Sequence, residues 1–284
     1  MKTTTKIKPQ LVLVAIGVIL FSLLFIFGRT VPPRENTAGN EPVAAGALSF
    51  TQVMQEFKKG LQPYQQDYLL KLENAVKRGD VKEQQIHTYH QIAGFWRDTM
   101  NAYLPYAWYT AEAAKLENSE KSLTFAAHLL ENRLLVEQDP SLLTLLATNA
   151  KELFESALKI NPSNDSTIIG LGACYIFGNI SGNPMQGILP ITEITKRDPA
   201  NIYAQKVLAL GGMKSGQYDK AIDRLKIILA KDPANMEIIF RLAEAYEGKG
   251  DKANAVTQYR KLKELVDHPQ AKEDIQHRIE ELEK

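Results

Sequence analysis

Catalysis and metal binding need particular side chains at particular spacings, and this chain offers few of them. His87 and His90 stand three residues apart with Glu83 one turn earlier, so a helix would carry all three on one face. That set is short of a closed tetrahedral metal site and has nothing in sequence to orient the imidazoles. It reads as the polar side of an amphipathic helix. His128, His268 and His277 are scattered. Gly170-Leu171-Gly172 lacks the third glycine and the preceding strand of a dinucleotide fingerprint. Cys174 is the single cysteine, so an internal disulfide is excluded, and Ile176 and Phe177 beside it predict a buried, inert thiol. No P-loop, nucleophile elbow or paired-carboxylate motif occurs. The expectation is therefore a non-enzymatic protein with no catalytic residues, no metal and no cofactor. One alternative keeps Glu83, His87 and His90 in play, in an accessory subunit of an enzyme complex.

The elements that would carry any site are written as a repeat. The chain reads Asn161-Pro162-Ser163-Asn164, then Asp198-Pro199-Ala200-Asn201, then Asp232-Pro233-Ala234-Asn235. Proline ends a helix at the residue before it, and an asparagine two residues later caps the next one. The prolines recur at 37 and 34 residues. Small and large positions recur too: Ala150, Phe154 and Ala157 before Pro162 match Gly187, Ile191 and Ile194 before Pro199, and Ala221, Leu225 and Ile228 before Pro233. Small residues let two helices approach, and the larger ones fill the groove between them.

A period of 34 with these features resembles the tetratricopeptide repeat family. The resemblance covers about residues 150–266, and Gly216-Gln217-Tyr218-Asp219-Lys220-Ala221 looks like that family's turn into its second helix. It implies an all-α fold, an α-solenoid of helix–turn–helix repeats over 149–267 with a capping helix over 268–284. Three extra residues are expected around Ser181-Gly182-Asn183-Pro184, and Pro190 falls inside a helix.

The resemblance also implies a function. In this family the first helices of successive pairs line a concave groove that takes up peptides or partner helices. By register, Ser166, Ile169, Ala173, Tyr203, Lys206, Leu210, Met213, Glu237, Phe240, Glu244 and Glu247 should face that groove. The family's carboxylate-clamp subgroup needs several basic and amide groups there. Lys206 stands nearly alone, Glu237 takes one basic position and Leu210 replaces an asparagine. A groove for apolar or weakly basic protein segments is the expectation, and its partner proteins are unidentified.

Residues 48–148 are helical but less regular, either divergent repeats or a cap. Ser49-Phe50-Thr51-Gln52 is a capping-box pattern. Pro63 opens a second helix, ended by Gly79; a third runs from about Asp80 to Tyr103, and Pro105 starts a fourth. Lys115–Leu130 looks like a degenerate repeat turn and second helix. Trp96 and Trp108 lie in an aromatic cluster that reads as helix-pair core, with a second partner-binding surface as the alternative.

Residues 11–28 contain the run LVLVAIGVILFSLLFIF, uncharged and long enough for roughly 26 Å of helix. This predicts a transmembrane signal-anchor after a cytoplasmic stretch 1–10, with 29–47 as a flexible linker. Lysines 2, 6 and 8 precede the run, which favours an inside amino terminus and places the remainder across the membrane. Residues 1–34 hold five basic side chains and no acid, while the rest holds 29 basic and 33 acidic ones. A mildly acidic body without a basic block gives no electrostatic reason to bind nucleic acid. The layout resembles bacterial inner-membrane tetratricopeptide proteins with a periplasmic carboxy-terminal region, which assist assembly of envelope proteins. The structural alternative is a self-associating membrane protein, a homo-oligomer.

Overall fold

Each repeated four-residue signal acts as its chemistry requires. Asn161, Asp198 and Asp232 end one helix, and Asn164, Asn201 and Asn235 begin the next. The asparagine side-chain oxygens accept the backbone N–H of Thr167 at 3.1 Å, Ala204 at 3.0 Å and Ile238 at 3.1 Å. A cap of this kind stabilises a helix by about 1 kcal/mol and fixes the residue at which it starts.

The computed structural model describes residues 48–79 and 81–284. The expected amino-terminal stretch, transmembrane segment and linker over 1–47 lie outside the described residues. Among the described residues no helix is long and apolar enough to cross a membrane.

These residues form thirteen α-helices, and Leu48–Lys284 is one compact unit. In chain order they are α1 (Phe50–Lys59), α2 (Pro63–Arg78), α3 (Lys82–Gly94), α4 (Tyr103–Glu117), α5 (Glu120–Leu134), α6 (Pro140–Ile160) and α7 (Asp165–Phe177). Then follow α8 (Met185–Arg197), α9 (Ile202–Lys214), α10 (Tyr218–Lys231), α11 (Met236–Lys249), α12 (Lys252–Leu265) and α13 (Pro269–Leu282). From α2 onward each helix packs on the next, α1 packs on α4, and α5 also packs on α7, as α7 does on α9. That is a solenoid of hairpins α3–α4, α5–α6, α7–α8, α9–α10 and α11–α12, with first helix on first helix where α7 meets α5 and α9. The position between residues 148 and 149 falls inside α6.

Three local expectations are met. Ser49 and Gln52 form the reciprocal capping box, Pro63 stands at the first position of α2, and the extra residues of the long repeat lie in the loop between Phe177 and Met185. Two differ. The third helix does not reach Tyr103. It widens into a π-helical turn at Phe95–Thr99 and stops, because Asn101 takes a left-handed backbone (φ 48°). The wide turn puts Phe95 and Trp96 side by side in the core. The helix after Ser119 is a first helix rather than a second: α5 pairs with α6 and stacks on α7.

The hairpins close on small residues. A Cβ at Gly187 would lie 2.2 Å from the Gly172 carbonyl oxygen, so α7 and α8 touch backbone to backbone. Successive hairpins are tied by polar contacts. The Lys214 ammonium donates to the carbonyls of Ile176 and Phe177 at 3.3 and 3.2 Å, taking up acceptors at the end of α7. Burial lowers the Lys214 pKa from its ordinary value.

Two glycines in one repeat should therefore behave oppositely. Gly187→Ala is expected to destabilise by about 1–3 kcal/mol through the clash with backbone, beyond what alanine's helix propensity returns. Gly182→Ala, in the loop with no atom within 4 Å of its added Cβ, should stay within about 0.5 kcal/mol of the parent. Urea denaturation followed by circular dichroism measures both, and equal effects would contradict the close approach.

Candidate functional site

The face built by the first helices changes character along the solenoid. At α7 it is closed. Ile169 is 1% exposed and Ala173 is fully buried, both within the largest core cluster. The expectation that they face a groove is corrected here, because α5 and α9 close over α7 from either side. Ser166, one turn earlier, is exposed. At α9, Tyr203, Leu210 and Met213 are half-buried and pack on the core, and the Lys206 ammonium reaches Glu237 of α11 at 2.7 Å.

The face opens between α11 and α13. A cleft of about 590 Å³ is lined there by Phe240, Glu244, Glu247, Gly248, Tyr259, Asp274, Ile275 and Arg278. Phe240 is 37% exposed and meets the Tyr259 ring edge-on, with centroids 6.2 Å apart. Ile275 supplies the apolar wall from α13. Glu244 is held by Arg241 at 2.8 Å, and Glu247 by the Arg278 guanidinium. Burial, then Glu247 beside the hydroxyl, pushes the Tyr259 phenol above its ordinary pKa. Phe240, Glu244 and Glu247 were expected in the groove. Tyr259 of α12 was not, because it reads as packing of the last repeat unit, nor were Asp274, Ile275 and Arg278, because α13 reads from sequence only as a cap. Its place after a second helix was the available signal: the next helix in the alternation takes a first-helix position.

A second polar cluster was missed altogether. The Glu131 carboxyl, 1% exposed, accepts from the Tyr203 hydroxyl at 2.5 Å and lies 2.7 Å from His128 Nδ1. His128 Nε2 lies 2.9 Å from Ser166 Oγ, and its ring meets Phe154 and Tyr203 edge-on. The cluster ties α5, α7 and α9 together. A buried carboxyl is tolerated only with such partners, and sequence separation hid them. Burial first, then the charge of Glu131, pushes the Tyr203 phenol and the Cys174 thiol well above their ordinary values. Cys174 is buried, as its neighbours predicted.

Trp96 is 1% exposed, so it forms core and offers no surface to a partner. Trp108 is half-buried, stacked on Phe50 at 3.8 Å with the Lys115 ammonium over its ring. His87 is exposed, and His90 pairs with Glu117 at 2.7 Å. Among the described residues no group of three or more histidine, cysteine, aspartate or glutamate side chains is placed to hold a metal ion.

Residues 213–273, which take in α10 to α12, match the tetratricopeptide repeat family model. Such repeats bind peptides and proteins and are typically non-enzymatic. Among solved structures, PilW, described as a widely conserved type IV pilus biogenesis factor, is 15% identical, with a TM-score of 0.49 over 79% of this chain and 96% of that one. MamA from Desulfovibrio magneticus RS-1 is 20% identical, with a TM-score of 0.43 over 66% and 96%. YrrB, described as a TPR protein with an unusual peptide-binding site, is 13% identical, with a TM-score of 0.42 over 72% and 97%. No curated protein matches the chain.

The Glu131 cluster makes a pH-dependent prediction. Tyr203→Phe removes a hydrogen bond to a buried carboxyl and should cost about 2 kcal/mol at neutral pH. The raised phenol pKa means that this stabilisation is complete below the unfolded value of about 10 and is lost as pH rises through the folded value. Parent and variant should therefore converge in stability only above about pH 10. Denaturation curves across that range read it directly, and a gap that stayed constant would contradict the assignment.

Proposed function

We propose that this protein is a scaffold that binds extended segments of partner proteins along the first-helix face of its solenoid, and that residues 11–28 tether it to a membrane. The observation that carries the reading is the open cleft between α11 and α13, where Phe240 and Ile275 leave apolar surface over the buried Tyr259 ring and beside acidic groups. Solenoids use the continuous surface of stacked repeats to hold extended ligands. Exposed aromatic surface next to polar groups is the composition of binding hot spots.

The tether reading is supported by the sequence. The uncharged run preceded by lysines suits a single-pass anchor, and the proposed location is a bacterial inner membrane with the solenoid on the periplasmic side. The task proposed there is non-catalytic: to hold a partner during assembly of envelope proteins.

A photoreactive benzoylphenylalanine at Phe240, compared with one at Ile227, tests the groove. Ile227 is similarly exposed but lies on the second helix α10. The expected outcome is a defined crosslinked partner from position 240 and none from position 227 in growing cells. Equal capture at both positions, or none at either, would overturn the reading.

A further inference from the structure

The α11–α13 cleft holds an imbalance of charge that its own residues only partly answer. Three carboxylates line it, Glu244, Glu247 and Asp274, against the single cation Arg278. Glu244 is held from its own helix by Arg241. Glu247, 14% exposed, is the deepest placed of the ion-paired acids here. Its cationic partner comes from the other wall: Arg278 donates to Glu247 through both Nε and Nη2, and through Nη1 to Glu281 at 2.9 Å. The Arg278 side chain is about half exposed, so it lies over the cleft without being locked into it.

We propose that this cleft is a seat for an arginine or lysine side chain flanked by an apolar residue in an extended partner segment, and that Arg278 fills the seat in the free protein as an internal competitor. The inference rests on the groove reading above and names the chemistry of its ligand. A guanidinium is planar and meets a carboxylate through a two-pronged hydrogen bond, so an incoming arginine can take over the bonds that Arg278 makes to Glu247. Arg278 then retains Glu281, one turn away on α13, so its displacement leaves no cation stranded. Exchanging one half-exposed arginine for another on the same carboxylate changes the free energy little. The selective gain comes from the apolar neighbour against Phe240 and Ile275, and from the carboxylates that repel an acidic segment. A ligand bearing an acidic tail meets three like charges at this end, which excludes it here.

The test uses the full-length chain in non-ionic detergent and fluorescein-labelled heptapeptides in a glycine–serine background. One peptide carries an arginine between two leucines, and its twin carries glutamate in place of the arginine. Fluorescence anisotropy is expected to show the arginine peptide binding at least about tenfold more tightly than the glutamate peptide. Arg278→Gln should tighten the arginine peptide about threefold to fivefold by removing the competitor. Arg278→Lys, which keeps an internal cation, should leave it near the parent value. Glu247→Gln should weaken it about tenfold. Unchanged melting by circular dichroism marks each variant as folded.

Weaker or unaltered binding by a folded Arg278→Gln protein would overturn the competitor. Equal binding of the two peptides would overturn the basic ligand while leaving the groove reading standing. Absence of binding by either peptide, with a partner still crosslinked from position 240, would overturn this inference alone. Absence of both signals would bring down the groove reading with it.

Discussion

Backbone meets backbone where Gly172 faces Gly187, and the hairpin arrangement depends on contacts of this kind. At Gly170 the ring of Phe154 takes the space of a side chain, and at Gly248 the ring of Tyr218 does. These approaches set how closely helices lie within and between hairpins, and the asparagine caps set where α7, α9 and α11 begin. With spacing and register both fixed, the first helices fall in a row, and residues one turn apart on each of them share a face. The cleft at the α11–α13 end exists because that row continues to the last helix while its packing does not close.

Polarity is distributed unevenly along the same face. Around α7 it is turned inward: Glu131, His128, Tyr203 and Ser166 satisfy one another across three helices. A buried carboxyl with these bonds tolerates little rearrangement, since losing one partner leaves a desolvated group. Around α11 and α13 polarity is turned outward, in ion pairs that each keep at least one half-exposed side chain. Pairs of that kind exchange readily. One region thus serves as a rigid joint and the other as a surface able to change partners.

The local grammar was legible before the fold. Proline, a cap and a small residue act on neighbours a few positions away, so the three asparagine caps, the Ser49 capping box and the loop around Gly182 could all be read from the chain. What depended on distant segments could not. Ile169 and Ala173 have the register of groove residues, yet α5 and α9 bury them. Trp96 reads from sequence as helix-pair core with a partner surface as the alternative, and the π-helical turn that sets it in the core gave no sequence signal. Glu131 gave no sign of its importance, because Tyr203 is 72 residues away. Arg278 was one charge among many on a helix read as a cap, and only the α11–α13 juxtaposition gives it a role.

The ion pairs that cross between first helices carry one more consequence. Lys206 reaches Glu237 from α9 to α11, and Arg278 reaches Glu247 from α13 to α11, like struts between the rungs of a ladder. Stacked hairpins meet only their neighbours, so a small rotation at one junction is passed along the whole stack. Struts with one half-exposed charge apiece are open to screening, over about 10 Å at moderate ionic strength, to a degree that the buried joint at Glu131 is not. Elastic stiffness should therefore be graded along the molecule, high where α5, α7 and α9 lock together and salt-dependent toward the carboxy terminus.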